Sequence, residues 1–396
     1  MSLIIQKYGG SSLASPRHIR AAAVRIRDLK ATGADVVVVV SAMGRMTDHL
    51  IRLARKTVAD PAQRELDMLM TAGERVSMAL LAMALHELGV PAISFTGSQS
   101  GIVTSSDHTD AKIIEVRAFR IQEEINKGRV VIVAGFQGIS REKEITTLGR
   151  GGSDTTAVAI AAALKAERCE VLTDVNGIFT ADPRLVKEAR LLTRCSYDEA
   201  LELASLGAKM QSRSIEMARR YKVKVRVASS RTTNVLCTDI QEYSEGEEME
   251  STQVRGIATR DGYQYFRLKT DLKSLVSWLR ESKISLRFFQ AGGDEVSFLC
   301  ESDKANLIKK KYEPLGMILT EKSQVAIVSA VGDGVSRCPD FLEKFLTALG
   351  SVDCTPWLVT ANALSVTAAI PREKQEVVAE TLHREFINEG EPSESV

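Results

Sequence analysis

Apolar residues follow two different rhythms along this chain, and the change of rhythm divides it. Up to about residue 230, short apolar runs alternate with longer stretches whose apolar positions recur every three or four residues. Leu3-Ile4-Ile5, Val36 to Val40, Val130 to Ala134 and Glu170 to Asp174 are the short runs. Runs that lack polar alternation predict strands buried on both faces, as in a parallel sheet. Val223 to Val227 is a last run, and its alternating Lys224 and Arg226 predict an edge strand. Between the runs, Pro16 opens a helix with the stripe Ile19, Ala22, Ala23, Ile26, Leu29. Residues 65–88 form a long apolar helical stretch, Ala157 to Leu164 are strong helix formers, and 198–207 form a further helix. Strand, turn and helix in repetition predict a doubly wound α/β domain.

The rhythm changes after residue 238. Residues 239–252 hold Glu242, Glu245, Glu247, Glu248 and Glu250, an acidic linker poor in core residues. Beyond it the order strand, helix, strand, strand, helix, strand is met twice. The first unit predicts strands 263–268, 284–289, 295–300 and 316–321 with helices 271–281 and 303–312. The second predicts strands 325–330, 352–358 and 363–370 with helices 338–349 and 373–387. Both are ferredoxin-like βαββαβ patterns. The second runs out before its last strand, since the polar residues 389–396 predict a disordered tail. A spare strand, Val254 to Thr259, supplies the missing one. The first unit, about 261–322, is therefore inserted into the second, about 253–260 plus 323–388.

The chemistry lies in the polar turns of the first half. Thr146 to Thr156 places Gly149, Arg150, Gly151, Gly152, Ser153 and Asp154 ahead of a helix. Such a loop presents backbone N–H groups and a helix N-terminus to an anion, and Arg150 adds a bidentate fork. Alone, it reads equally well as a tight turn capped by Ser153 or Asp154. Four further turns shift the balance. Lys7-Tyr8-Gly9-Gly10-Ser11-Ser12 sets a lysine beside amides able to approach phosphate closely. Ser41-Ala42-Met43-Gly44 with Thr47 follows a buried strand, where open α/β sheets bind ligands. Thr173-Asp174 and the turn to Arg184 follow another strand, and Gly207-Ala208-Lys209 ends a helix. Glu74 stands amid Met68, Leu69, Met70, Val76 and Met78. It is either a solvated helix-face glutamate or a clamp for an ammonium group. A polyphosphate plus a small zwitterion fits these cations and carboxylates, and phosphoryl transfer needs chiefly positioning and charge neutralisation.

Composition narrows the field. The chain has 396 residues, more than one ordinary domain holds. Lys and Arg number 52 against 51 Asp and Glu, a balance that argues against a general nucleic-acid or anionic-membrane binder. Six scattered cysteines without a CxxC or a histidine cluster argue against structural zinc and a disulfide framework. The first residues lack a signal-peptide layout and no run reaches membrane-spanning length, so a reducing cytoplasm is expected. None of the five histidines sits in a candidate motif.

Taken together, these turns resemble the aspartate kinases of the amino-acid kinase superfamily. The motifs, from Lys7-Tyr8-Gly9-Gly10 to Gly207-Ala208-Lys209, cover nearly all of residues 1–230. The resemblance implies a catalytic domain over 1–238 and paired regulatory ACT domains over 253–388. It implies ATP-dependent phosphorylation of the side-chain carboxylate of L-aspartate, with Mg²⁺ riding on the nucleotide and no metal held by the protein itself. Lys7 is similar to the lysine that stabilises the transferring phosphoryl group, and Asp154 to the aspartate that orients lysines. Ser41, Thr47, Glu74, Arg150 and Ser153 match substrate positions. Lys7, Gly9, Gly10, Thr173, Asp174, Phe179, Arg184 and Lys209 match nucleotide positions. A homo-oligomer, with a dimer formed through the ACT domains, is implied as well.

The chain departs from the family pattern in places. Phe179 stands where a tyrosine is usual. The segment after Lys209 is one residue short, which bears on where Arg213 points. Arg287 stands where the first ACT unit normally has an aspartate, and Pro339-Asp340 replaces Pro-Gly. These changes predict weakened feedback by lysine and threonine, since an arginine repels an effector's ammonium. Two other readings are a non-catalytic amino-acid-sensing subunit and a kinase of a related carboxylate. Joint retention of Lys7, Arg150, Asp154, Asp174 and Lys209 opposes the first, and Glu74 with Arg150 opposes the second.

Overall fold

The computed structural model describes residues 2–207, 210–232, 236–242, 253–282 and 284–388. Residues 243–252 of the expected linker, the 389–396 tail and Lys209 lie outside these. The described residues fall into two compact units. The first lies within Met1–Ile178, Leu191–Ala204 and Lys209–Glu247, and the second within Phe179–Arg190, Ser205–Ala208 and Glu248–Val396. The expected catalytic span 1–238 is therefore interrupted. Residues 179–190, which carry Phe179 and Arg184, pack with the second unit.

The first unit is built on an eight-stranded sheet. Its order is Arg194–Cys195, Cys237–Ile240, Val225–Ser229, Arg168–Thr173, Leu3–Tyr8, Asp35–Val40, Val130–Ala134, Ala92–Phe95. The central neighbours run parallel. Val36 to Val40 are all buried, as an unbroken β-branched run inside a parallel sheet requires. The helix Pro16–Ala31 buries its predicted stripe Ile19, Ala22, Ala23 and Ile26. The helix Gly152–Leu164 is buried on almost every side, because small apolar residues surround its axis.

Four expectations are corrected here. Val225–Ser229 is an interior strand, not an edge. It lies between Arg168–Thr173 and Cys237–Ile240, and Asp239 on the neighbouring strand takes the Arg226 guanidinium at 2.7 and 2.8 Å. Residues 239 and 240 belong to that neighbouring strand and not to the linker. The residues from Ser94 to about Asp110, which the sequence offers as a polar loop, contain the strand Ile102–Thr104. Ile102–Thr104 and Ile113–Val116 join Gln137–Ser140 and Ile145–Thr147 in a second, four-stranded sheet. Finally, the helical stretch Gln63–Glu87 is 25 residues long and apolar enough to cross a membrane. It is half buried within the protein and carries two buried carboxylates, Asp67 and Glu74.

The second unit is one six-stranded antiparallel sheet shared by two ferredoxin-like halves. Its order is Leu286–Gly292, Glu295–Glu301, Gln253–Lys269, Ile318–Asp333, Ser365–Pro371, Leu358–Asn362. Two long strands run through both halves. Tyr263–Lys269 pairs with Glu295–Glu301, and Arg260–Val254 pairs with Ile327–Gly332. The spare strand thus lies beside the second half's first strand. Each half then has its four strands in the ferredoxin order, fourth, first, third, second. Asp271 caps the helix Leu272–Glu281 by accepting the Ser274 N–H at 2.8 Å. The strand expected at 352–358 begins only at Leu358. Residues 351–354 are spent closing the helix Pro339–Gly350, with Asp353 at φ +51°, Ser351 N–H on Thr347 O at 2.9 Å and Cys354 N–H on Leu349 O at 3.1 Å. The segment 179–190 joins this unit's core through Ala181 and Val186. Thr180 receives the Ile257 N–H at 2.6 Å and bonds buried His383 Nε2 at 2.8 Å. Burial holds the His383 imidazole below its usual pKa.

Candidate active site

Three turns at strand ends converge on one cleft of about 1010 Å³ in the first unit. The strand Leu3–Tyr8 leads into Gly9-Gly10, and Asp35–Val40 leads into Ser41 to Gly44. The two turns lie side by side, with Gly44 N–H on Gly10 O at 2.9 Å and Ser41 N–H on Tyr8 O at 3.1 Å. A Cβ at Gly10 would stand 2.9 Å from the carbonyl oxygens of Ala42 and Gly44, so no side chain fits there. The third turn, Gly149 to Gly151, enters the helix Gly152–Leu164. Gly149 and Gly151 have φ of +74° and +72°, a conformation glycine adopts freely. The start of that helix lines the cleft through Gly152, Ser153 and Asp154, so its positive end faces the space within.

Lys7, Gly10, Ser41, Thr47, Glu74, Arg150, Ser153 and Asp154 all line this cleft. Lys7 Nζ is 2.6 Å from Asp154 Oδ1, and both side chains are mostly buried. Asp154 thereby holds the ammonium at the mouth of the glycine turn. Gly9 lies at the margin, where a Cβ would be 3.6 Å from Lys7 Nζ. Glu74 is only 3% exposed. Its Oε1 accepts the Ala42 N–H at 3.1 Å, while its Oε2 is buried without a partner. Burial pushes its carboxyl up to about 7, partly offset by hydrogen bonds from backbone N–H groups, including that of Ala42. A buried acceptor left open at a cleft wall suits a charged donor brought by a ligand.

The other described nucleotide positions, Thr173, Asp174, Phe179 and Arg184, are not among the residues lining this cleft. Thr173 ends the strand Arg168–Thr173 and donates its hydroxyl to Asp174 Oδ1 at 3.1 Å. It stands next to the glycine turn, since Gly9 N–H reaches Leu172 O at 3.3 Å. Phe179 and Arg184 belong to the second unit, where the exposed Arg184 guanidinium pairs with Asp182. Lys209 lies outside the described residues.

Sequence reading left four residues here without a role. Phe136 lines the cleft with φ +68°, a strained value for a bulky residue, held by its N–H on Thr156 Oγ1 at 3.1 Å. Gln211 fills the space beside Gly151 so closely that a Cβ there would meet it at 2.0 Å. Arg213 donates to Leu148 O at 2.8 Å and to Ala111 O at 2.7 Å, so the shortened segment leaves it bracing the glycine loop. Asp67 is fully buried and receives His108 Nδ1 and Thr147 Oγ1. A carboxylate seven residues before Glu74 in an apolar helical stretch was the one available signal for Asp67.

Comparison with known proteins identifies the family. Residues 2–229 match the model of the amino acid kinase family. The aspartokinase of Corynebacterium glutamicum is 40% identical over 414 residues, covering 99% of this chain and 97% of that protein. Aspartokinase 2 of Bacillus subtilis is 40% identical over 410 residues, covering 99% and 100%. Among solved structures, E. coli aspartokinase III in complex with aspartate and ADP shares the fold. Its TM-score is 0.81 at 22% identity, over 97% of this chain and 99% of that one. The chain belongs to the amino acid kinase family and, within it, to the aspartokinases.

Proposed function

We propose that this protein transfers the γ-phosphoryl group of ATP to the side-chain carboxylate of L-aspartate, giving 4-phospho-L-aspartate and ADP. The observation that carries the reading is the open Oε2 of buried Glu74 in the same cleft as the Lys7–Asp154 pair. An α-ammonium on Glu74 supplies the missing donor and the counter-charge. Arg150 takes the α-carboxylate, with Ser41, Thr47 and Ser153 as neutral hydrogen-bonding partners. The side-chain carboxylate is then directed toward Lys7.

That carboxylate is already ionised at neutral pH, its ordinary pKa being about 3.9, so the step needs no general base. One of its oxygens forms the new bond to phosphorus as the bond from phosphorus to the β–γ bridging oxygen breaks, and ADP departs with that electron pair. Lys7 neutralises charge on the transferring group, and Asp154 keeps the ammonium in place. The glycine amides of Gly9 and Gly10 and the start of the helix Gly152–Leu164 favour phosphate oxygens. Thr173 and Asp174 are read as nucleotide contacts. Phe179, Arg184 and Lys209 are assigned that role on the family pattern alone. Among the described residues no group of three His, Cys, Asp or Glu is placed for a metal. Mg²⁺ is read as riding on the nucleotide phosphates, where it would supply charge neutralisation.

The second unit is read as the ACT pair over 253–388, serving assembly into a homo-oligomer. Arg287 donates to Ser205 O at 3.1 Å within that unit. A guanidinium in that place supports weak feedback by lysine and threonine. A cytoplasmic setting fits the six free cysteines. The test is a substrate panel followed by ADP release. L-aspartate is expected to turn over, and succinate, which keeps both carboxylates but lacks the ammonium, is not. Equal turnover of the two would remove Glu74 from the account.

A further inference from the structure

We infer that Asp67 is a positioning residue that sets the spacing between the ammonium-binding and carboxylate-binding ends of the cleft. The inference rests on the reading of Glu74 and Arg150 given above.

Asp67 lies on the helix Gln63–Met70 and Glu74 on Ala72–Glu87, joined through Thr71 in one nearly continuous helical stretch. Seven residues separate them, which is two turns, so both carboxylates leave one face about 10 Å apart. Both are buried, but their partners differ. Glu74 meets the cleft, whereas Asp67 meets the base of the loop that carries Arg150. Its Oδ1 accepts the Thr147 hydroxyl at 2.5 Å. Its Oδ2 accepts His108 Nδ1 at 2.8 Å, and the Thr109 N–H reaches both oxygens at 3.1 and 3.2 Å.

These bonds hold two segments distant in sequence from Asp67. Thr147 ends the strand Ile145–Thr147, three residues before Arg150. Thr109 adopts φ +67° and lines the cleft. Its carbonyl oxygen lies 3.1 Å from where a Cβ on Gly149 would stand, so the Arg150 loop rests on this turn. Ala111 N–H on Thr147 O at 2.9 Å ties the two segments to one another. Arg213 grips them from the other side through Leu148 O and Ala111 O. One helical stretch therefore holds Glu74 directly and the mount of Arg150 through Asp67.

Such a device acts on ground-state grip of the amino acid more than on the phosphoryl step. Loss of uniform binding raises KM and leaves kcat near its original value. Asp67→Ala and the milder Thr147→Val are measured by steady-state kinetics with aspartate and ATP varied separately. Asp67→Ala is expected to raise the aspartate KM at least tenfold. The ATP KM and kcat are each expected to change less than threefold. Thr147→Val should raise the aspartate KM about threefold with the same selectivity, and Thr147→Ser, which keeps the hydroxyl, should restore it. Should Asp67→Ala fail to fold, the Thr147 pair alone decides. Parallel rises in both KM values, or Thr147→Ser behaving like Thr147→Val, would overturn the inference while the wild type still turns over aspartate. A wild type that turns over no aspartate would overturn the functional reading and this inference with it.

Discussion

Two regions of one helical stretch treat a buried carboxylate in opposite ways. Around Asp67 every approach is taken by a donor of the protein itself, His108, Thr109 and Thr147. Around Glu74 one oxygen is bonded and the other is left open toward the cleft. The first arrangement stabilises the fold, and the second costs stability until a ligand completes it. The difference teaches how to separate structural from functional acids in this protein. Burial alone does not distinguish them, since both are nearly inaccessible. What distinguishes them is whether the protein supplies all the partners.

The contrast predicts that substitutions at the two sites affect stability in opposite directions. The largest stability effect is expected from Asp67→Ala. It leaves the Thr109 N–H and the Thr147 hydroxyl without acceptors, at a cost on the order of 3 kcal/mol. Chemical denaturation of this variant against the wild type reads that loss, and an unchanged midpoint would erase the contrast.

Glu74→Gln comes next, with loss of binding and gain of stability. Loss of a charge-assisted partner is expected to raise the aspartate KM roughly tenfold to a hundredfold. The pH dependence follows from the raised carboxyl. Glu74 ionises near 7 in the folded protein, against 4.5 ordinarily. Between those values the folded chain holds a proton that the unfolded chain has released. Folding stability from this group therefore falls as pH rises across that window, by at most about 3 kcal/mol, and is level above it. Glu74→Gln lacks this slope, so its thermal midpoint should exceed the wild type's by more at pH 8 than at pH 5. The wild-type kcat/KM for aspartate should fall below about pH 7, where Glu74 is neutral before substrate arrives, and the variant should lack that limb.

The smallest effect is expected from Gly151→Ala. Left-handed backbone with a side chain costs about 1–2 kcal/mol, and Gln211 must move aside. Activity should fall more than stability, because the strain lies at the start of the helix that faces the cleft. Equal retention of both would show that the loop tolerates a different course.

Much of this was legible from the sequence, and the parts that were not share a physical cause. Apolar rhythm located the parallel strands other than Ala92–Phe95 and both ferredoxin-like halves, because burial on one or two faces leaves a period in the chain. Glu74 could be singled out because its neighbours are apolar. The small sheet was missed since its strands are only three or four residues long and hydroxyls supply part of its interior beside Ile102 and Val103. Thr104 and Thr146 are both buried there and bond one another at 2.5 Å. Val225–Ser229 was misplaced at an edge because Asp239, which pairs with Arg226, comes from a strand that the sequence did not mark. Asp67 was passed over because its donors lie 41 to 80 residues away. Segment 179–190 likewise reads as a turn of the first unit, while contacts with Ile257 and His383 bind it into the second. Local pattern reports burial well and long-range polar partners poorly.

The central claim is that the cleft transfers phosphoryl from ATP to L-aspartate using Lys7. The most direct measurement is ADP release with ATP, Mg²⁺ and L-aspartate, with the acyl phosphate trapped as its hydroxamate, in the wild type and in Lys7→Ala. The account predicts aspartate-dependent hydroxamate from the wild type and a fall of at least about a hundredfold in kcat for the folded variant. Hydroxamate formation that survives Lys7→Ala, or a folded, ATP-binding wild type that forms none, would contradict it.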